Sequence, residues 1–216
     1  MQSISTLVFD FDGTICDSMD AAVLTLNRYS EYFRYKKITP EMVPTLRTKT
    51  TQDILVELGI SRFYLPVLAP LLQRAFYQRV SGLRPFKGMR EVFKELSTRG
   101  YRLGVLTSNA KKNVLKFNEV NHLHDFEFIY SGISLFDKAT SLELLLRKHK
   151  LSEEEVVYIG DETRDIEAAH TAGLSVISVG WGFHSPDLLK QYHPEFLIHD
   201  PRDLIEVLSK KNTCCE

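Results

Sequence analysis

The chain has 216 residues, 44% hydrophobic and 25% charged, with a formal net charge of −1, which is an ordinary globular composition with room for one sizeable core and a smaller domain. Near-neutral charge argues against a nucleic-acid or membrane-surface role carried by bulk electrostatics, and no apolar run approaches membrane-spanning length. Three cysteines form neither a disulfide framework nor a metal spacing, so a reducing cytoplasmic location is expected. The tail Cys214-Cys215-Glu216 carries only a weak lipidation signal.

The first element is an apolar run, Leu7 to Phe11, that reads as a buried strand and leads into Asp10-Phe11-Asp12-Gly13-Thr14. Gly13 supplies a tight turn. Alternation of strand side chains predicts Asp10 and Asp12 on one side of the strand end. Two carboxylates facing one small volume must bind a cation, keep a proton, or both. One can attack as a nucleophile while the other handles protons.

From about Cys16 to Leu83 the strand signal is weak. Ala21, Leu24, Tyr29, Tyr32 and Phe33 fit a long helix with an apolar stripe. A second helix is expected from Thr50 or Thr51 to Leu58, stopped by Gly59, and a third from Pro66 to Val80. This stretch reads as a helical insertion, with linkers at Ile15–Asp17 and Ser81–Pro85. After Phe86 helix and strand alternate: a helix through Met89, Val92, Phe93 and Leu96, then strand Arg102–Thr107 and helix Lys111–Phe117. Strand Phe126–Tyr130 follows, then a helix opened by Asp137 or Lys138, and strand Val156–Ile159. After these come a helix rich in Ala168, Ala169 and Ala172, strand Leu174–Val179, a short helix at Pro186–Gln191, strand Phe196–Ile198 and helix Asp203–Leu208. The alternation predicts an α/β fold, a Rossmann-like, doubly wound and mostly parallel sheet with helices on both faces.

Ligands of such sheets bind outside the carboxyl ends of the strands. Three predicted strand ends carry suitable groups. Asp10 and Asp12 stand at the first, and Thr107-Ser108-Asn109, suited to an anion beside a helix start, at the second. Gly160-Asp161-Glu162-Thr163-Arg164-Asp165 lies at a third. Lys138 sits at a helix start, where the helix dipole does not call for a cation. Alone, each has a plainer reading as an N-cap, a first-turn acid or a solvated lysine. His122 and His124 could pair on a metal but read more simply as a surface loop.

Together these residues resemble the haloacid dehalogenase superfamily, whose motifs are matched by Asp10 to Thr14, Thr107 to Asn109, Lys138, and Gly160 to Asp165. The resemblance spans about Leu7 to Leu208, and the insertion looks like the helical cap of the phosphoglycolate-phosphatase-like branch. It implies a core domain of residues 1–15 and 84–216 and a cap domain of residues 16–83. It implies a phosphatase acting on a small-molecule phosphate ester, with no nucleic acid or membrane as partner.

By the same resemblance, Asp10 is the nucleophile that becomes an aspartyl-phosphate, and Asp12 the acid and later the base. Thr107, Ser108, Asn109 and Gly13 hold the phosphoryl group, with Lys138 neutralising charge. Asp10, Asp12 through its carbonyl, Asp161 and Asp165 ligate Mg²⁺. With Asp12 protonated, the remaining carboxylates carry −3, which Mg²⁺ and Lys138 balance. Branches that do not protonate an ester oxygen generally lack the acid at position 12. Where relatives often carry a basic residue followed by Gly in the cap, this chain reads Leu46-Arg47-Thr48-Lys49-Thr50, and Arg47 and Lys49 are candidates to meet an anionic substrate group. Rival readings are a phosphosugar mutase of the same family, a receiver-like phospho-acceptor module, and a catalytically silent phospho-ligand-binding protein.

Overall fold

The computed structural model describes residues 4–123, 126–131 and 138–213. The elements in chain order are β1 (Thr6–Phe9), β2 (Cys16–Asp17), α1 (Met19–Phe33), α2 (Val43–Leu46), α3 (Thr51–Leu58), α4 (Leu65–Arg79), β3 (Arg84–Pro85) and α5 (Met89–Thr98). They continue with β4 (Arg102–Thr107), α6 (Lys111–Asn121), β5 (Phe128–Ser131), α7 (Lys138–His149), β6 (Val156–Gly160) and α8 (Thr163–Thr171). The chain closes with β7 (Ser175–Val179), α9 (Pro186–Lys190), β8 (Phe196–Ile198) and α10 (Asp203–Thr213).

Among the described residues the main sheet runs β5-β4-β1-β6-β7-β8, parallel throughout. β1 lies between β4 and β6, so the chain winds outward from it in both directions and the order reverses there. Reversal opens a crevice at the carboxyl end of β1, flanked by the ends of β4 and β6.

Strand alternation divides the core. Leu7 and Phe9 pack with Leu103, Val105, Val157 and Ile159 against α5, α6 and α10. Val8 packs on the opposite face with Leu106, Tyr158 and Val176 against α7 and α8. A third cluster joins Phe33, Tyr35, Ile38, Leu46, Leu58, Ile60 and Leu68, all from the inserted segment. The chain enters and leaves that insertion through a two-stranded antiparallel ribbon of β2 and β3. The ribbon falls on both expected linkers.

Some boundaries differ from expectation for local reasons. β1 ends at Phe9, short of the apolar run, because Ile15 and Cys16 both donate to the Phe11 carbonyl, at 3.0 and 2.9 Å, and turn the chain. Asp12 therefore lies in a turn, outside the strand. Helix α6 runs on to Asn121, and His122 adopts a left-handed φ of 48° at its end, as an exposed cap. The short α2 escapes sequence periodicity because four residues show no repeat. His124, Asp137 and the Cys214–Glu216 tail lie outside the described residues. Among the described residues no single helix is long and apolar enough to cross a membrane.

Gly104 shows how tightly side chains of neighbouring strands pack. A Cβ there would stand 1.9 Å from Cε2 of the Phe128 ring on β5. Gly104→Ala is expected to cost about 1–3 kcal/mol, as overpacked cores do, read as a lower denaturation midpoint at unchanged slope. An unchanged midpoint would show that the ring moves aside freely.

Candidate active site

Asp10 follows β1 directly, and its N–H donates to Ile159 O on β6 at 2.8 Å. That bond holds its backbone in line with the sheet. Asp10 continues the alternation of Val8, so its side chain reaches the face covered by α7 and α8. Lys138, the first residue of α7, meets it there: its Nζ lies 3.3 Å from Asp10 Oδ1 and donates to Asp165 Oδ1 on α8. The other oxygen of Asp165 accepts from the N–H groups of Asp161 and Glu162, at 3.0 and 2.9 Å. Asp165 thus ties the β6–α8 turn together while pairing with the lysine.

Asp161 is fully buried. Its oxygens accept from Thr14 Oγ1 at 2.6 Å and from Phe183 N at 2.7 Å. Gly13, with φ of 79°, lies against it, and a Cβ at Gly13 would stand 2.2 Å from Asp161 Oδ2. A side chain at position 13 would therefore be strained by its backbone and would also displace a carboxylate. Asp10, Asp161 and Asp165 each offer a carboxylate oxygen, all within 4.8 Å of one another and all buried. Three buried carboxylates against one lysine leave a negative excess, and this all-oxygen donor set fits a hard divalent cation.

Burial pushes the Asp10 carboxyl up to about 7, with Lys138 opposing and Asp165 adding to the rise. Burial likewise lifts Asp161 well above the carboxylate range, reinforced by Asp165. Burial works against charge on Lys138, but Asp10 and Asp165 outweigh it and raise its pKa.

Asp12 is partly buried, and its Oδ2 accepts from Asn109 Nδ2 at 2.9 Å. Burial raises its pKa and the Asn109 bond opposes the rise. Thr107, buried at the end of β4, accepts from Asn109 N at 2.9 Å, which folds the 107–109 turn toward the crevice. The carbonyl of Ser108 accepts from Gln73 Nε2 on α4 at 2.8 Å. The sequence motifs therefore converge on one crevice. Asn109, expected near the phosphoryl oxygens, has its amide engaged with Asp12.

Arg47 reaches the rim: its Nη2 donates to Gly182 O at 3.0 Å, and its own carbonyl accepts from Ser185 N at 2.7 Å. Lys49 pairs with Glu57 inside the insertion. Sequence reasoning passed over a buried cluster beside the crevice. Glu162 accepts from Arg164 Nη2 and from Thr51 Oγ1 on α3, both at 2.6 Å, and faces His184 Nε2 at 3.9 Å. His184 Nδ1 accepts from Thr163 N at 3.0 Å. Burial acts to raise the Glu162 pKa, but Arg164 and His184 prevail and hold it at about 2. The only sequence signal was alternating charge within the 160–165 motif, which reads equally as a solvated first turn. His184 gave none.

The raised Asp10 carboxyl makes the metal-free protein pH-sensitive. Its ordinary value is 3.8, so between there and about 7 the folded state keeps a proton that the unfolded chain releases. The stabilisation is complete below 3.8 and is lost as pH rises through about 7. In chelator, the melting temperature of the wild type relative to Asp10→Asn is expected to fall across this window. A flat difference would show that Asp10 titrates alike in both states.

The haloacid dehalogenase-like hydrolase family model matches residues 7–179. A phosphoglycolate phosphatase of Synechococcus elongatus is 30% identical over 96% of this chain and 98% of its own length. A pyrophosphatase PpaX of Listeria monocytogenes is 26% identical over 95% of this chain and 96% of its own. A haloacid dehalogenase-like family hydrolase of Streptococcus pneumoniae superposes with a TM-score of 0.76 at 21% identity, over 96% of this chain and 99% of that one, a likeness of fold. With its motifs gathered at the reversal point of the sheet that the family model spans, the chain belongs to the haloacid dehalogenase-like hydrolases and is a phosphatase.

Proposed function

We propose that this phosphatase is Mg²⁺-dependent and hydrolyses a small phosphorylated metabolite, phosphoglycolate-like or a sugar phosphate, through an aspartyl-phosphate on Asp10. The observation that carries the reading is the meeting of Asp10, Asp161, Asp165 and Lys138 in one buried volume, with Asp12 two residues on from Asp10 and bonded to Asn109 beyond the end of β4. The name borne by the Synechococcus relative supports the substrate class. The working location is the cytoplasm, where the buried free thiol of Cys16 stays reduced.

Asp10, Asp161, Asp165 and the Asp12 carbonyl hold the cation, which supplies positive charge where the phosphoryl oxygens gather. Asp10 attacks phosphorus in line, forming the acyl phosphate as the ester oxygen leaves. Asp12 gives that oxygen its proton; the resulting carboxylate then takes a proton from the water that cleaves the acyl phosphate. Lys138 offsets charge on Asp10 and the transferred group. Thr107, Ser108 and the turn at Gly13 cradle the phosphoryl oxygens. Residues 16–83 act as a cap domain over the core of residues 1–15 and 84–216, supported by the separate apolar cluster of the insertion and its ribbon hinge. Closure excludes bulk water and strengthens each charge interaction in the crevice.

Two experiments test this. A panel of phosphate esters, assayed with Mg²⁺, Ca²⁺ or chelator, is expected to show turnover lost in chelator and restored by Mg²⁺. Ca²⁺ should restore little, since its looser and higher coordination misplaces Asp10. Full activity in excess chelator would end the metal reading, and phosphate migrating within a sugar substrate would favour the mutase. In the second, Asp10→Asn should abolish turnover and any phosphoenzyme. Asp12→Asn should lower turnover of alkyl esters by about 10²–10⁴-fold while aspartyl-phosphate accumulates, seen by intact mass and hydroxylamine release. A phosphate adduct on Asp10→Asn would overturn the mechanism.

A further inference from the structure

Asn113, on the first turn of α6, is completely buried and lies outside every motif considered above. Its Nδ2 donates to Asn109 Oδ1 at 2.6 Å and to the Gln73 carbonyl of α4 at 2.9 Å. Asn109 Oδ1 also accepts from Ala110 N at 2.8 Å. A backbone N–H can meet only an acceptor, so the oxygen of the Asn109 amide is fixed on that side and its NH₂ must face Asp12. There Nδ2 lies 2.9 Å from Asp12 Oδ2. The chain of bonds runs from α4 through Asn113 and Asn109 to the carboxyl, with every member at least partly buried, where such bonds are strong and costly to lose.

We propose that Asn113 is a positioning residue for the proton-transferring carboxyl. It gives the Asn109 oxygen a second, side-chain donor beside the Ala110 N–H, which holds the amide plane with its NH₂ on Asp12, and that second donor is oriented by contact with α4 of the insertion. The inference rests on the reading of Asp12 as acid and base. Turned the other way, the Asn109 amide would set its oxygen against the carboxylate and drive Asp12 from the ester oxygen. One hydrogen of Asn113 Nδ2 goes to the Gln73 carbonyl and the other to Asn109, so withdrawal of the insertion removes the acceptor that fixes which way the Asn113 amide faces and loosens the lock. The proton transfer is thereby held ready when the crevice is closed.

A glue role between helices and a role in proton transfer predict different kinetics. The test uses the full chain with Mg²⁺, with an alkyl phosphate as the donor that needs protonation and acetyl phosphate as the donor that does not. Asn113→Ala is expected to lower kcat for the alkyl ester about tenfold or more, within the ~10²–10⁴-fold range of general acid–base catalysis, with little change in KM. Phosphoenzyme formation from acetyl phosphate should stay within about twofold, with the adduct persisting because water activation is slowed. In an Asn109→Ala background the Asn113 substitution should cost nothing more, since both act through one path. Asn113→Asp keeps the volume but offers an acceptor to Asn109, so it should lose at least as much and stands in if the alanine variant fails to fold. Equal losses with both donors, additive losses in the double variant, or wild-type kinetics in both variants would overturn the proposal. Absence of a hydroxylamine-sensitive adduct on every form, Asp12→Asn included, would overturn the aspartyl-phosphate reading and this proposal with it.

Discussion

The structure turns on a charge imbalance buried at the end of one strand. Asp10, Asp161 and Asp165 share a volume with Lys138, which is itself buried and contacts two of them. Buried charge of this kind is destabilising unless it is paired and hydrogen-bonded. Much of the surrounding chain answers that demand. Thr14 and the Phe183 N–H serve Asp161, the opening turn of α8 serves Asp165, and Gly13 leaves room for the carboxylate beside it. What remains is a negative excess, the condition that a hard cation would relieve.

The inserted helices reach this centre through polar bonds at separate points. Arg47 grips the carbonyl of Gly182 next to Phe183, Thr51 donates to Glu162 next to Asp161, and Gln73 meets the 107–109 turn. Each contact touches a segment that bears on a carboxylate of the crevice. The insertion has an apolar cluster of its own, and Phe76 of α4 also packs into the core of the sheet, edge-on to Phe11 with ring centroids 6.0 Å apart.

Much of this was legible in the sequence because the relevant signals are local. Leu7 to Phe11, Arg102 to Thr107 and Val156 to Ile159 are apolar runs of the kind that parallel strands require, and each is followed by the polar residues that fill the crevice. Lys138 stood out as a cation at a helix start. The places where reading failed depend on distant partners. The strand was expected to run to Phe11 with Asp12 at its end, but it stops at Phe9, and the carbonyl of Phe11 captures two N–H donors and turns the chain. Arg47 and Lys49 remain candidates for substrate contact; in the structure Arg47 donates to the Gly182 carbonyl and Lys49 pairs with Glu57, partners that no local pattern announces. Asn113 and His184 carry no local pattern at all; their roles exist only because α4 and the 180–185 loop come to them.

The most direct measurement is the melting temperature of the full chain against Mg²⁺ concentration, for wild type and Asp161→Asn. An ion that binds only the folded state stabilises it by RT ln(1 + [L]/Kd), so the wild type should rise steadily with added Mg²⁺. Asp161→Asn, which removes one charge from the cluster, should lose most of that rise while starting from a comparable or higher metal-free value. A wild type indifferent to Mg²⁺, or a variant that responds equally, would contradict the account of the cluster as a cation site.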